Sequence, residues 1–173
     1  MVSTMTTSAT DDHDLVLQTN TESFLPDATK AFYLETRLRA SQIASPHGIF
    51  VGLFTRDSIV ADGVVTGFDH MGVGCLETVN IVGSVGDGTA GTTSTSDSGS
   101  DLAANTNVTI ACEYSPTSDT FKTYVDGDLK ATVTGASEFL PSAECCLGVS
   151  TRAGAGSTAT GFEIDYIYLA MDR

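Results

Sequence analysis

Residues 121–133 read FKTYVDGDLKATV, two alternating runs joined by Asp126-Gly127. A two-residue type I′ turn needs positive φ at both central positions, Asp-Gly supplies it, and the twist of that turn matches the strands it joins. The stretch therefore predicts an antiparallel hairpin. Outward from it the period of two recurs. Val108, Ile110, Cys112 and Tyr114 alternate with Thr109, Ala111 and Glu113. In AFYLETRLRA (31–40), Phe32, Leu34, Thr36 and Leu38 alternate with Tyr33, Glu35, Arg37 and Arg39. The composition of that segment suits a helix, but a helix would wrap Phe32 and Tyr33 around a mixed surface. A strand places its large apolar groups on one face and its charges on the other.

Residues 49–54, IFVGLF, are apolar throughout and predict a central strand covered on both faces. Further short strands are expected at 64–68, 73–77, 79–83 and 145–150. The last, FEIDYIYL (162–169), sets Phe162, Ile164, Tyr166 and Tyr168 against Glu163, Asp165, Ile167 and Leu169. Residues 84–105, SVGDGTAGTTSTSDSGSDLAAN, have no apolar periodicity and are expected to form a long surface loop. Residues 1–14 are polar and are expected to form an extended N-terminal arm, leaving 15–173 as one domain. Ten or so strands with no convincing helix predict an all-β protein, a two-sheet antiparallel sandwich of jelly-roll type.

Composition narrows the function. Of 173 residues, 25 are Thr, 17 Ser and 17 Gly, Trp is absent, and 22 acids against 8 bases give a net charge of −14. Three Lys and five Arg, scattered along the chain, cannot form the basic face that binding to nucleic acid needs. No apolar run approaches the ~20 residues of a spanning helix, and the first residues lack the pattern of a secretion signal, so neither a membrane nor export is expected. The four cysteines, Cys75, Cys112, Cys145 and Cys146, form no CxxC pair, and His13, His47 and His70 lie far apart. Reduced, buried thiols are expected, with a Cys75–Cys112 disulfide as the alternative.

Together AFYLETRLRA, IFVGLF, TFKTYVDGDLKATV and the closing FEIDYIYLAMDR resemble a concanavalin A-like jelly roll, the laminin G and lectin/glucanase sandwich, over about residues 15–173. More narrowly they resemble small jelly-roll proteins of tailed-bacteriophage virions. That resemblance implies a non-enzymatic capsid decoration or cement protein, made in the host cytoplasm and carried on the capsid surface. Its partners would be the major capsid protein or another virion protein, a second copy of itself, or a host surface glycan. Met1, Val2, Ser3, Thr4 and Met5, with Leu15 and Leu17, would make the partner contacts.

The alternative function is a carbohydrate-binding module or lectin, with tyrosines replacing tryptophan as stacking platforms. A third reading takes Glu163 and Asp165 as a glycosidase pair, since related hydrolases carry three carboxylates on one strand. Here the third position is Ile167 or Tyr168, so the motif is incomplete. No calcium loop, phosphate loop or GxSxG is present, and Asp57, Asp62, Asp69, Asp87, Asp97 and Asp101 match no ligand spacing. No catalytic residue, metal or cofactor is therefore expected.

Overall fold

A computed structural model describes residues 3–6, 13–41, 47–56, 67–76, 79–89, 93–153 and 161–172. Its strands are β1 (Ser3–Thr6), β2 (His13–Gln18), β3 (Phe32–Ala40), β4 (His47–Phe54), β5 (Asp69–Cys75), β6 (Asn80–Asp87), β7 (Thr93–Asp101), β8 (Asn107–Ser115), β9 (Thr120–Val125), β10 (Asp128–Thr134), β11 (Cys146–Ala153) and β12 (Gly161–Met171). They form two antiparallel sheets of six, in the orders β1-β12-β3-β8-β9-β10 and β2-β11-β4-β5-β6-β7. One 3₁₀ turn, Ala136–Phe139, follows β10. The all-β two-sheet sandwich read from the sequence is the fold observed.

The core lies between the sheets. Leu34 and Leu38 on β3, Ile110 and Cys112 on β8, and Phe121 on β9 face Ile49, Val51 and Leu53 on β4 and Met71 and Val73 on β5. Strand β3 buries every second residue, and β4 is buried along its whole length, as its alternation and its apolar run require. The hairpin forms at Asp126 and Gly127, with φ of 51° and 85°. Asp126 also ties the turn to β8, its amide donating to the Thr109 carbonyl and its Oδ1 accepting from the Thr109 amide at 2.9 Å.

Strand β4 is covered on its far side as well. There Phe50 and Phe54 are buried with Leu76, their ring centres 6.3 Å apart. A cross-strand row of Gly148, Gly52 and Gly72 runs beneath them. A Cβ on Gly72 would sit 2.8 Å from Phe50 Cζ and collide with the Val51 carbonyl oxygen, and one on Gly148 would sit 2.7 Å from Phe54 Cζ. Bare backbone is what leaves room for the two rings over the sheet.

Three expectations need correction. Residues 84–105 are not one long loop: Ser84–Asp87 completes β6, and β7 is a full edge strand paired with it. Its inward positions are hydroxyls, with Ser96 Oγ 3.2 Å from Thr123 Oγ1, so no apolar period marks it. The described part of the N-terminal stretch is not a free arm either, because β1 pairs with residues 161–164 and drives Met5 into the core. Strand β2 begins at His13, across the boundary read at 14/15. Third, β12 changes phase. An extra residue between Ile164 and Tyr166 forms a β-bulge, after which Ile167 and Leu169 turn toward the core while Tyr166 and Tyr168 are exposed. Buried Thr36 donates to the Tyr166 carbonyl at 2.8 Å beside this bulge. The strand expected at 64–68 falls mostly outside the described residues, and Gly67 and Phe68 are not in a strand.

All four cysteines are free and buried, so the disulfide alternative is not formed, and of the adjacent pair only Cys145 joins the core cluster.

Replacing Gly72 by Ala is expected to cost at least about 2 kcal/mol, because the methyl meets backbone rather than a movable side chain. Gly161→Ala, whose Cβ would meet nothing nearer than 3.5 Å, should change stability by less than about 0.5 kcal/mol. Urea unfolding of both variants beside the wild type checks the contrast.

Candidate functional site

Alternation sends every second residue of β12, β3, β8 and β9 to the outer face of the first sheet, and register lines them up in rows. One row runs Tyr168, Glu35, Ala111, Tyr124; the next runs Ala170, Tyr33, Glu113, Lys122. Ala111 is the smallest side chain amid these larger groups. Over it lies a hollow of about 300 Å³, lined by Tyr33, Glu35, Thr109, Glu113 and Tyr124. That volume is at the lower end of the range for small-ligand sites.

Hydrogen bonds fix the walls. Tyr33 Oη donates to Glu35 Oε2 and Tyr166 Oη to Glu35 Oε1, both at 2.6 Å. Tyr124 Oη donates to Glu113 Oε2 at 2.7 Å, and Lys122 Nζ stands 3.6 Å from Glu113 Oε1. The bond from Tyr166, then that from Tyr33, holds the Glu35 carboxyl below its usual range. Burial first, and the bond to Glu113 second, push the Tyr124 phenol up to about 12. Burial and the bond to Glu35 likewise raise Tyr33. Glu35 is therefore a fixed anion and the tyrosines fixed donors across the physiological range. Tyr33 also packs edge-on against Tyr168, ring centres 6.2 Å apart.

The Glu163 and Asp165 pair lies on the same sheet, but each carboxylate faces an arginine. Arg39 Nη2 reaches both Glu163 oxygens at 2.7 and 2.8 Å, and Arg37 Nη1 lies 3.4 Å from Asp165 Oδ2. These are surface ion pairs, each worth no more than about 1 kcal/mol. Of the residues assigned to partner contact, Met5 is 4% exposed and inside the core, Thr4 is exposed, and Leu15 and Leu17 are exposed on edge strand β2. Ser3 begins β1, and Met1 and Val2 lie outside the described residues. Asp57 and Asp62 lie outside them too.

The hollow was missed in the sequence because its lining comes from three strands, β3, β8 and β9, and the turn that follows β9. The one local signal was an alanine on the polar face of β8, flanked at two residues on either side by Thr109 and Glu113.

On the second sheet His70 and Ser84 form a buried pair, Nε2 to Oγ 2.9 Å. His70 Nδ1 lies 2.9 Å from the Phe68 carbonyl, which can only accept, so Nδ1 carries the proton and Nε2 accepts from Ser84. Both residues are 0% exposed, and Phe50 and Phe68 pack edge-on against the imidazole. This is a satisfied interior pair rather than a nucleophile and base open to substrate.

No protein-family model matches this sequence, and no curated protein matches it. Solved structures do. The Emp47p carbohydrate recognition domain superposes with a TM-score of 0.65 at 15% identity, covering 97% of this chain and 87% of that one. A legume lectin-like domain from Entamoeba histolytica gives 0.62 at 14% identity, over 95% and 81%. A native glycosidic hydrolase gives 0.57 at 20% identity over 80% of this chain, which spans 64% of that chain's length. Identities this low carry the fold alone: a concanavalin A/legume-lectin-like jelly roll.

Burial pushes the His70 imidazole down from 6.5 to about 4. The folded protein keeps it neutral while the unfolded chain protonates it near 6.5, so its contribution to stability is full above pH 6.5, falls as pH drops toward 4, and is lost below. The difference amounts to about 3 kcal/mol. Urea midpoints between pH 4 and 8 should therefore drop more steeply on the acid side for the wild type than for His70→Gln; parallel profiles would exclude His70 as the source.

Proposed function

We propose that this protein binds carbohydrate, with the hollow over Ala111 as the saccharide site. The observation that carries this reading is a small floor walled by tyrosines and by two carboxylates whose positions are fixed by phenol hydrogen bonds. Tyrosine faces pack against the C–H surface of a pyranose, and carboxylate oxygens accept from its hydroxyls. Each carboxylate has room for this, since ionised it offers about four acceptor sites. Glu35 has two of them filled by phenols. The lectin and carbohydrate-recognition domains that share the fold support the reading.

Binding is favoured over hydrolysis at this site. A glycosidase needs a carboxyl held protonated by a raised pKa, and Glu35 is shifted the other way. The alternative pair, Glu163 and Asp165, is engaged by Arg39 and Arg37. The capsid-decoration reading gains nothing from the structures named above, none of which is a virion protein, and Met5, one of its contact residues, is in the core.

A glycan array followed by calorimetry on the best ligand tests the proposal. Ala111→Trp, which fills the hollow from an outward-facing position, should weaken binding at least about tenfold while leaving the circular dichroism unchanged. Tyr124→Ala should weaken it comparably, and Glu163→Gln should leave it as it is. Absence of any glycan ligand, or binding indifferent to Ala111→Trp, would overturn the assignment.

A further inference from the structure

The polarity of the hollow goes further than its shape. The phenol hydrogens of its walls are turned away from a ligand: Tyr33 and Tyr166 give theirs to Glu35, and Tyr124 gives its to Glu113. What these groups have left to offer is lone pairs on two carboxylates and on phenol oxygens. The nearest cations are otherwise engaged, Lys122 with Glu113 and Arg37 with Asp165. An ordinary sugar hydroxyl can donate to such a surface, but it finds few donors for its own oxygen. A group with several donors, positive charge and no acceptor fits better, and an aromatic wall adds cation–π attraction.

We infer that the hollow selects sugars carrying a free amino group, 2-amino-2-deoxy hexoses in ammonium form, over N-acetylated, neutral and acidic sugars. This rests on the hollow being a saccharide site and names the class of sugar. The ammonium sits between Glu35 and Glu113 over Ala111, its protons shared by the two carboxylates, with the ring against Tyr33 or Tyr124. A uronic or sialic acid would bring a third anion to a site with no free cation among these residues, so acidic sugars are excluded by repulsion.

The test compares β-1,4-linked glucosamine dimers and trimers with their N-acetylated counterparts by calorimetry at about pH 6, below the usual amine range. Short oligomers limit diffuse attraction to a surface of net charge −14. The amino form should bind at least about tenfold more tightly. Glu113→Gln, whose amide oxygen can still accept from Tyr124, should bring that ratio toward one without loss of melting temperature. Glu35→Gln keeps one acceptor oxygen for one phenol and turns an N–H toward the other, whose oxygen can accept from it, and should lower the ratio in the same way. Ala111→Trp should remove binding of both forms. If both bind alike and both are lost in Ala111→Trp, the charge selectivity is wrong and the saccharide site stands. If the amino form binds and Ala111→Trp does not weaken it, the attraction is to the acidic surface at large and the inference falls. If neither binds while another glycan on the array does so through Ala111, the sugar class is wrong; if nothing binds at all, the site itself falls with it.

Discussion

Each strand in this sandwich can give only every second side chain to the shared core, and the period of two governs everything else. Where the alternation is unbroken, as in β3, the consequences are direct: Phe32, Leu34 and Leu38 turn inward, and Tyr33, Glu35, Arg37 and Arg39 turn outward. Where a strand must be buried on both faces, as in β4, apolar residues occupy both parities and glycines open room for Phe50 and Phe54. Of the register shifts among the described strands, the one in β12 shapes the outer face of the first sheet. The bulge at Asp165 lets Ile164 and Ile167, three residues apart, both serve the core, and it releases the Tyr166 hydroxyl to Glu35.

The acidity of the chain takes on a different character once its carboxylates are placed. On the first sheet Glu35 and Glu113 accept from tyrosines, and Glu163 and Asp165 pair with arginines. These acids belong to a wall-to-wall polar surface on rigid strands rather than to flexible turns. A binding face built this way is preorganised, since its side chains are already held by one another before a ligand arrives. The buried His70 and Ser84 on the other sheet illustrate the opposite use of the same residue types. There two polar groups satisfy each other inside an aromatic cluster and their cost is pH sensitivity.

Much of the architecture was legible. The Asp126-Gly127 turn, the alternation of β8 and the apolar β4 were each local patterns with one physical interpretation, and β3, whose composition also suits a helix, was decided by its alternation of apolar and charged positions. Strand β7 was illegible because its inward positions are serine and threonine: a strand at the edge can satisfy the sandwich with hydroxyl contacts such as Ser96 to Thr123, and hydropathy then carries no period. Strand β1 was illegible for a related reason, since four residues with a single apolar Met5 are too short to show alternation. The phase change in β12 was visible only as an odd spacing between isoleucines. Without knowing which neighbour β12 pairs with, that spacing does not distinguish a bulge from a strand with one weak face.

By itself the sequence determined the fold class, the hairpin and the faces of the regular strands, because those follow from local periodicity. It did not determine the candidate site. Ala111 lies 76 residues from Glu35 along the chain, yet the two are cross-strand neighbours. Only the pairing of β12, β3, β8 and β9 brings four tyrosines and two glutamates onto one face. Register is a property of strand partners, and partners are chosen by packing across the whole sandwich, so no single segment contains the information.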